Sequence, residues 1–316
     1  MTRSNRTEIP TWLVIVATYG GWLALTLSFH ALPLWLVAPL GGWLLAWHGS
    51  VQHEAVHGHP TRRPRFNALV AGPPLALWLP FAIYRESHLA HHVAPELTDP
   101  LEDPESYYTA PEEWAQLSRP VRLFRRILHT AAGRLIVGPP AMVWRLFGRE
   151  ARRVAAGDRR RLAVWAVHAA CVAAVLAWVM VVCRIPLWAY LALFVYPGLS
   201  LTLLRSYAEH RPAARQAGRS ALVDAGPLFS LLYLHNNLHL VHHLRPHLPW
   251  YELPRWYRAE RSALLERNGQ FRFAGYAEVL RLHWRRGKDS PVHPGGGASP
   301  PERDTRSPGV TPWAPA

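Results

Sequence analysis

From residue 9 to residue 53 the chain contains no Asp, Glu, Lys or Arg, and no other feature limits its possible folds so sharply. Coiled into helix at about 1.5 Å per residue, that run is roughly 67 Å long, enough to cross a hydrocarbon core of about 30 Å twice. It breaks at Phe29-His-Ala-Leu-Pro33, where proline ends one helix and can open the next, so spans are expected near 11–29 and 34–50. A second uncharged run lies between Arg161 and Arg205, interrupted only by Arg184 beside Pro186, and predicts spans near 162–182 and 187–205. The expected fold class is an all-α integral membrane protein whose four transmembrane helices form two hairpins.

Net charge then acquires a different meaning. The formal charge is +14 although only 18% of residues are charged, a balance that in a soluble chain points to nucleic acid. Here the arginines flank the apolar runs: Arg3 and Arg6 before the first, Arg62, Arg63 and Arg65 after it, Arg159 to Arg161 before the second, and Arg205, Arg211, Arg215 and Arg219 after it. The positive-inside tendency places all these flanks in the cytoplasm, against anionic headgroups. A multi-pass protein of the cell inner membrane with both termini cytoplasmic is expected, with no nucleic-acid role. Cys171 and Cys183, both in the third span, read as small buried hydrophobes, and the first apolar segment, too long for a signal-peptide core, stays in the mature chain.

Residues 66–84 are also uncharged, but Pro73, Pro74 and Pro80 argue against a straight helix. A crossing there would put His53 and His57 on the opposite face from His88, His91 and His92, so a re-entrant or interfacial segment packed on protein is expected. The same reasoning applies to 225–244. The acidic, proline-punctuated stretch from Glu96 to Tyr108 matches no EF-hand and reads as a solvated loop near the mouth of the site. From Arg119 to Arg161 arginines alternate with apolar residues, as in segments that lie in the headgroup plane. His247 to Trp284 reads as a cytoplasmic cap. One membrane domain over 1–286 is expected, followed by a disordered Pro/Gly-rich tail over 287–316.

Eighteen histidines mark the functional region, eight of them in three boxes: His53-Glu-Ala-Val-His57, His88-Leu-Ala-His91-His92 and His239-Leu-Val-His242-His243. On a helix, positions i, i+3 and i+4 share a face, so each box aims its imidazoles at one place. Neutral imidazole is the commonest metal ligand, and metal binding justifies gathering groups that would otherwise repel one another on titration. His-Glu-x-x-His alone is a zincin pattern with Glu54 as general base; a protease has no use for six further clustered histidines, and the surplus favours two metals. The set, without cysteine or methionine, suits non-haem iron activating dioxygen better than copper electron transfer; zinc fits on ligand grounds alone. A metal transporter would place ligands within the spans, whereas these boxes stand at span ends. His48, one turn before the first box, reads as a polar helix-end residue or a support to the ligands.

In that order and with paired spans, the boxes resemble the HxxxH, HxxHH and HxxHH boxes of the membrane fatty acid desaturase/hydroxylase superfamily, over roughly residues 10–250. The resemblance implies two non-haem iron ions as cofactor and O2 as co-substrate, on the cytoplasmic face of four spans. It implies iron ligation by His53, His57, His88, His91, His92, His239, His242 and His243. His210, in Glu-His-Arg, resembles an additional histidine that many members place before the third box. Asn237 resembles an asparagine found near the metals in some members. The stretches around Tyr84-Arg-Glu-Ser87 and Leu97-Thr-Asp-Pro100 resemble bacterial members, including the dihydrorhizobitoxine type that desaturates an amino-acid derivative; carotenoid ketolases and hydroxylases share the boxes too. The implied activity is desaturation of a fatty acyl chain or lipid, with hydroxylation or ketolation as the alternative. His293-Pro-Gly-Gly296 spells the haem tetrapeptide of cytochrome b5 domains, but only tail composition follows it, so a separate ferredoxin, rubredoxin or cytochrome is the expected electron donor.

Overall fold

The computed structural model describes residues 8–295, which are mostly helical. Pro10 sits in the first turn of α1 (Ile9–Leu27) and Pro33 immediately precedes α2 (Leu34–Val56), with a short 3-10 turn between them; the fixed φ of proline suits both positions. α3 (Pro64–Ala71) and α4 (Phe81–Val93) follow, then α5 (Pro111–Gln116), α6 (Arg119–Leu128), α7 (Ala131–Ile136) and α8 (Gly138–Ala155). Two long helices come next, α9 (Arg159–Val182) and α10 (Leu187–Glu209), each with a π-helical stretch. Beyond them lie α11 (Pro227–Leu232), α12 (His239–Leu244), α13 (Leu253–Arg267) and α14 (Tyr276–His283). Strands β1 (Leu222–Val223) and β2 (Arg272–Phe273) pair in parallel.

Among the described residues three helices are long and apolar enough to cross a membrane, α1, α9 and α10, where four were expected. The missing one is α2. It has 23 residues, but Pro39, Gly41, Gly42, His48 and three tryptophans, Trp35, Trp43 and Trp47, dilute its hydropathy. Its environment explains the tolerance, because it packs against α1, α3 and α10 and so meets protein on most sides. α9 is the opposite case: only 11% of its apolar window is buried. Cys171 on α9 is accordingly exposed, contrary to its expected burial, while Cys183 is buried.

The core between these helices joins Trp22 and Leu25 of α1, Val37 and Leu45 of α2, Val179 of α9 and Phe194 and Leu199 of α10. The 66–84 segment forms no crossing helix. After α3 it runs as irregular backbone into the bundle, with Leu75 2% exposed. Side chains of the long helices take up its carbonyls: Tyr19 Oη donates to Val70 O (2.6 Å), Gln52 Nε2 to Ala71 O (3.0 Å) and Tyr190 Oη to Leu75 O (2.7 Å). Irregular backbone in an apolar setting needs such partners.

Two expectations about loops change. The stretch from Glu96 to Tyr108 is packed rather than solvated, with Thr98, Asp103, Ser106 and Tyr108 all buried. Residues 287–295, where composition suggests the tail begins, lie against that same stretch. Thr109 N donates to Pro291 O and His293 N to Thr109 O, both at 2.9 Å, and His293 Nε2 lies 3.2 Å from Thr98 Oγ1. The rest of the expected tail, 296–316, falls outside the described residues.

The closest helix contact is between α2 and α10. A Cβ on Gly198 would lie 2.5 Å from Leu45 Cβ and 3.3 Å from Gly42 O, distances that force the helices apart. Gly198→Val is expected to destabilise the protein by about 1–3 kcal/mol through overpacking, read as a lowered melting temperature in detergent together with reduced bound metal. A variant that melts like the parent would contradict this packing.

Candidate metal centre

Nine histidines converge from four places: His53 and His57 at the end of α2, His88, His91 and His92 on α4, His210 just past α10, and His239, His242 and His243 on α12. They form two groups, within each of which the ligating atoms lie within 4.8 Å of one another. His53, His57, His88, His92 and His242 make the first, and His91, His210, His239 and His243 the second. The two HxxHH boxes are shared crosswise. His88 and His92, at i and i+4, serve the first group while His91 turns to the second; His239 and His243 serve the second while His242 turns to the first. Positions i+3 and i+4 lie on either side of i, about 100° apart around the axis, so one helix can face two neighbouring centres.

The ring nitrogens have divided roles. Nδ1 of His91 is 2.8 Å from Asp103 Oδ1, and Nδ1 of His88 is 3.2 Å from both oxygens of Glu105. Nδ1 of His239 meets Asn236 Oδ1 (3.1 Å) and Glu209 Oε1 (3.2 Å), and Glu209 is itself held by Arg205 at 3.1 Å. Nδ1 of His210 lies 3.1 Å from Arg219 O. Glu105, Asp103, Asn236 and the Arg219 carbonyl accept from these Nδ1–H groups, which leaves Nε2 of His88, His91, His239 and His210 with a bare lone pair.

Nε2 atoms face one another within each group. In the first group His57 to His88 is 3.1 Å, His88 to His92 is 3.2 Å and His92 to His242 is 3.0 Å; in the second, His210 to His239 is 2.9 Å and His239 to His243 is 3.0 Å. Neighbouring ligand nitrogens about 2.0–2.1 Å from a common metal stand roughly 2.9–3.4 Å apart. The donor set and its spacing therefore fit a metal ion in each group.

Burial disfavours the charged form of several of these imidazoles. Burial, aided by His88 and His91, pushes His92 down to about 2. Burial also holds His210, His242 and His243 well below the ordinary histidine range, helped by their histidine neighbours. For His91, burial pulls down but the hydrogen bond to Asp103 and the charge of Glu105 prevail, and its pKa is raised. Burial works against ionisation of Glu105, yet the charge and hydrogen bond of His88 hold it below the usual carboxylate range.

Glu54 and His48, singled out in the sequence, are in neither group, and the contacts of Asn237 are to the backbone. Asn237 donates from Nδ2 to Val223 O (2.8 Å), while its Oδ1 is buried without a hydrogen-bond partner; it fastens the third box to β1. Its neighbour Asn236 is the asparagine at the centre, with Nδ2 3.2 Å from His53 Nε2 and Oδ1 on His239. Glu54 accepts from Trp250 N (3.3 Å) and belongs to neither group, unlike the base of a zincin. His48 packs edge-on to Tyr19. Asp103, Glu105, Glu209 and Asn236 went unrecognised in the sequence; for Asp103 and Glu105 the available sign was an acidic cluster directly after a histidine box.

A cavity of about 870 Å³ reaches the centre, within the usual range for small-molecule sites. His88, His91, His210 and His239 line one part of it, and Leu45, Trp78, Met142 and Leu199 line an apolar part. Leu45 and Leu199 belong to the core between the long helices, so the apolar part extends to membrane-like depth.

A family model described as "Fatty acid desaturase" matches residues 29–275. Among curated proteins no match is found.

Two outcomes follow from this geometry. Asp103→Asn and Glu105→Gln are each expected to weaken metal binding about 10- to 100-fold, measured by competition with a chelator; unchanged affinity would remove these carboxylates from the site. The metal-free protein should lose stability as pH falls below about 6.5. There the unfolded chain takes up protons that His92, His210, His242 and His243 refuse in the fold, each contributing up to about 1.4 kcal/mol per pH unit. Melting temperatures of the metal-free protein that stay level from pH 7 to pH 5 would contradict this.

Proposed function

The chain belongs to the fatty acid desaturase family, and from that premise we propose that it is an O2-dependent membrane di-iron desaturase that introduces a double bond into a fatty acyl chain. The observation that carries the reading is the convergence of nine histidine ligand atoms into two groups at the end of an apolar cavity. His53, His57, His88, His92 and His242 would hold one iron, and His91, His210, His239 and His243 the other. Bound iron would supply the activation of dioxygen that removal of hydrogen from an unactivated C–H bond requires. Overall, the substrate loses two hydrogens while O2, two electrons and two protons become two waters.

The chain's own residues do the rest. Glu105, Asp103 and Asn236 fix tautomer and ring orientation by accepting at Nδ1, and the Glu209 carboxylate lies beside His239. Leu45, Trp78, Met142 and Leu199 would receive the acyl chain and keep water from it. No cysteine cluster or dinucleotide motif accompanies the site, so electrons would come from a separate ferredoxin, rubredoxin or cytochrome. In this reading α2 is a fourth span, shielded from lipid by its neighbours, and α1–α2 and α9–α10 are two hairpins of an inner-membrane protein. The arginine flanks and both termini would lie in the cytoplasm, with residues 1–286 as the membrane domain.

Lipid analysis of a host with and without the gene tests the reaction, with new alkene expected. Accumulation of alcohol or ketone instead would replace desaturation with oxygen insertion. His242→Ala and His243→Ala, one from each group, should each reduce turnover at least 100-fold and lower bound iron while folded protein persists; near-normal turnover in both would overturn the assignment. Glu54→Gln should retain iron and activity, whereas a zincin would lose its general base.

A further inference from the structure

The cavity that reaches the metal centre is also lined by six arginines, Arg125 of α6, Arg134 of α7, Arg145, Arg149 and Arg152 of α8, and Arg205 of α10, which pairs with Glu209 at 3.1 Å. Their placement on α8 is regular: Met142, Arg145, Arg149 and Arg152 follow one another at intervals of three or four residues and line the same cavity. The carboxylates lining it are Asp103, Glu105 and Glu209, and all three are taken by histidine rings. Of the acids nearby, Glu113 pairs with Arg125 (3.2 Å), Glu150 lies 3.6 Å from Arg149 and 3.5 Å from Arg161, and Asp289 is held by Tyr108 Oη (2.7 Å) and Lys288 (3.6 Å).

Arg134, Arg145 and Arg152 are left over, and of these Arg134 and Arg145 contact the loop that follows Glu105. Among the described residues none of the three has a carboxylate within the 4.0 Å of an ion pair. Arg134 is half-buried, its guanidinium 4.2 Å from the Tyr107 ring centre and its Nε sealed from water with no hydrogen-bond partner. Arg145 is exposed within the cavity lining and donates from one terminal nitrogen to Ser106 O at 3.1 Å, leaving the rest of its fork free. His129, which lines the same cavity, is pushed down to about 3, by burial first and then by the charges of Arg134, Lys288 and Arg125. Like charges gathered beside an apolar cavity are stable only if an anion joins them, and guanidinium forks match the oxygens of carboxylate and phosphate. Access is at hand, since Phe124 and Trp144 line the cavity and are exposed, at 42% and 81%.

We propose that Arg134 and Arg145 bind the anionic head, a carboxylate or phosphate, of the amphiphile whose chain enters the apolar part of this cavity. The inference rests on the reading of the cavity as an acyl site and narrows its substrate class to anionic amphiphiles, as against alcohols, hydrocarbons or carotenoids. A single loop carries both functions: Glu105 holds His88, and the next two residues meet the arginines, Ser106 through its carbonyl and Tyr107 through its ring.

The test is binding, independent of turnover. Metal-loaded protein in phosphatidylcholine nanodiscs is titrated with labelled palmitate and with labelled hexadecanol. Palmitate should bind at least tenfold more tightly. Arg134→Gln and Arg145→Gln should each remove most of that preference and leave hexadecanol binding unchanged, with Arg134→Lys retaining part of it. Competition by hexadecyl phosphate alone would identify a free acyl anion as the occupant, and competition by phosphatidylglycerol a membrane lipid. Equal affinity for acid and alcohol, or a preference that survives Arg134→Gln combined with Arg145→Gln, would overturn the proposal. Alkene formation without head-group preference would overturn it alone; preference without alkene would overturn the desaturase reading and leave this one standing.

Discussion

Two sets of imidazoles whose Nε2 atoms crowd to about 3 Å of one another are the condition on which the rest of this structure depends. Such an arrangement repels itself in water and more so at low dielectric. Protonation would turn lone-pair repulsion into charge repulsion, and burial forbids it for His210, His242 and His243. Direct hydrogen bonds would relieve it only if Nε2 carried the proton, but at His88, His91, His210 and His239 the Nδ1 protons are claimed by Glu105, Asp103, Arg219 O and Asn236. A cation in each group would relieve it, and would then couple metal binding to folding.

Holding that arrangement explains features that are otherwise costly. α2 trades hydropathy for closeness: Gly41 and Gly42 let it approach α10, which fixes the ends carrying His57 and His210 relative to each other. The 72–80 backbone enters the bundle with its carbonyls taken up by Tyr190 and His168, and returns as α4 bearing the second box. Before the third box, Leu234 and His235 adopt left-handed φ of 47° and 56°, unusual for side chains of their size. Backbone of this kind persists where surroundings over-determine it, here by Ser50 Oγ on Leu232 O at 2.9 Å and the His235 amide on Ser230 O at 2.8 Å.

Much of this was legible in the sequence, for reasons specific to each part. Spans of α1, α9 and α10 follow from uncharged length alone. The boxes are visible because helical periodicity is local, and the refusal of 66–84 to cross follows from three prolines and the need to keep His53 and His88 on one side. For α2 the lack of charge suggested a span, but its proline, glycines and His48 leave it short of the apolarity of α1, α9 and α10, because a helix packed on protein need not be apolar all round. The crosswise sharing of the boxes depends on where two helices cross. Asn236 rather than Asn237 faces the histidines because the turn at Leu234 and His235 rotates the segment, a tertiary matter. Asp103 and Glu105 were hidden by their setting: prolines and acids together signal an exposed turn, and only the fold shows that histidines have claimed the carboxylates.

That claim has a consequence for charge across the cavity. The Glu96 to Tyr108 stretch is rich in acids and lies beside arginines, so simple pairing between the two would neutralise both. The histidines prevent it. Asp103 is committed to His91 and to the amides of Thr98 and Glu105 (both 2.9 Å), and Glu105 to His88. Carboxylates that raise the basicity of metal ligands are thereby unavailable to Arg134 and Arg145, and the positive charge persists in the wall of an otherwise apolar cavity. Because Glu105, Ser106 and Tyr107 are consecutive, a shift of this loop that strengthens one set of contacts must move the other. Occupancy of the histidine groups and occupancy of the arginine pair are then linked equilibria, and each should favour the other through the same short piece of backbone.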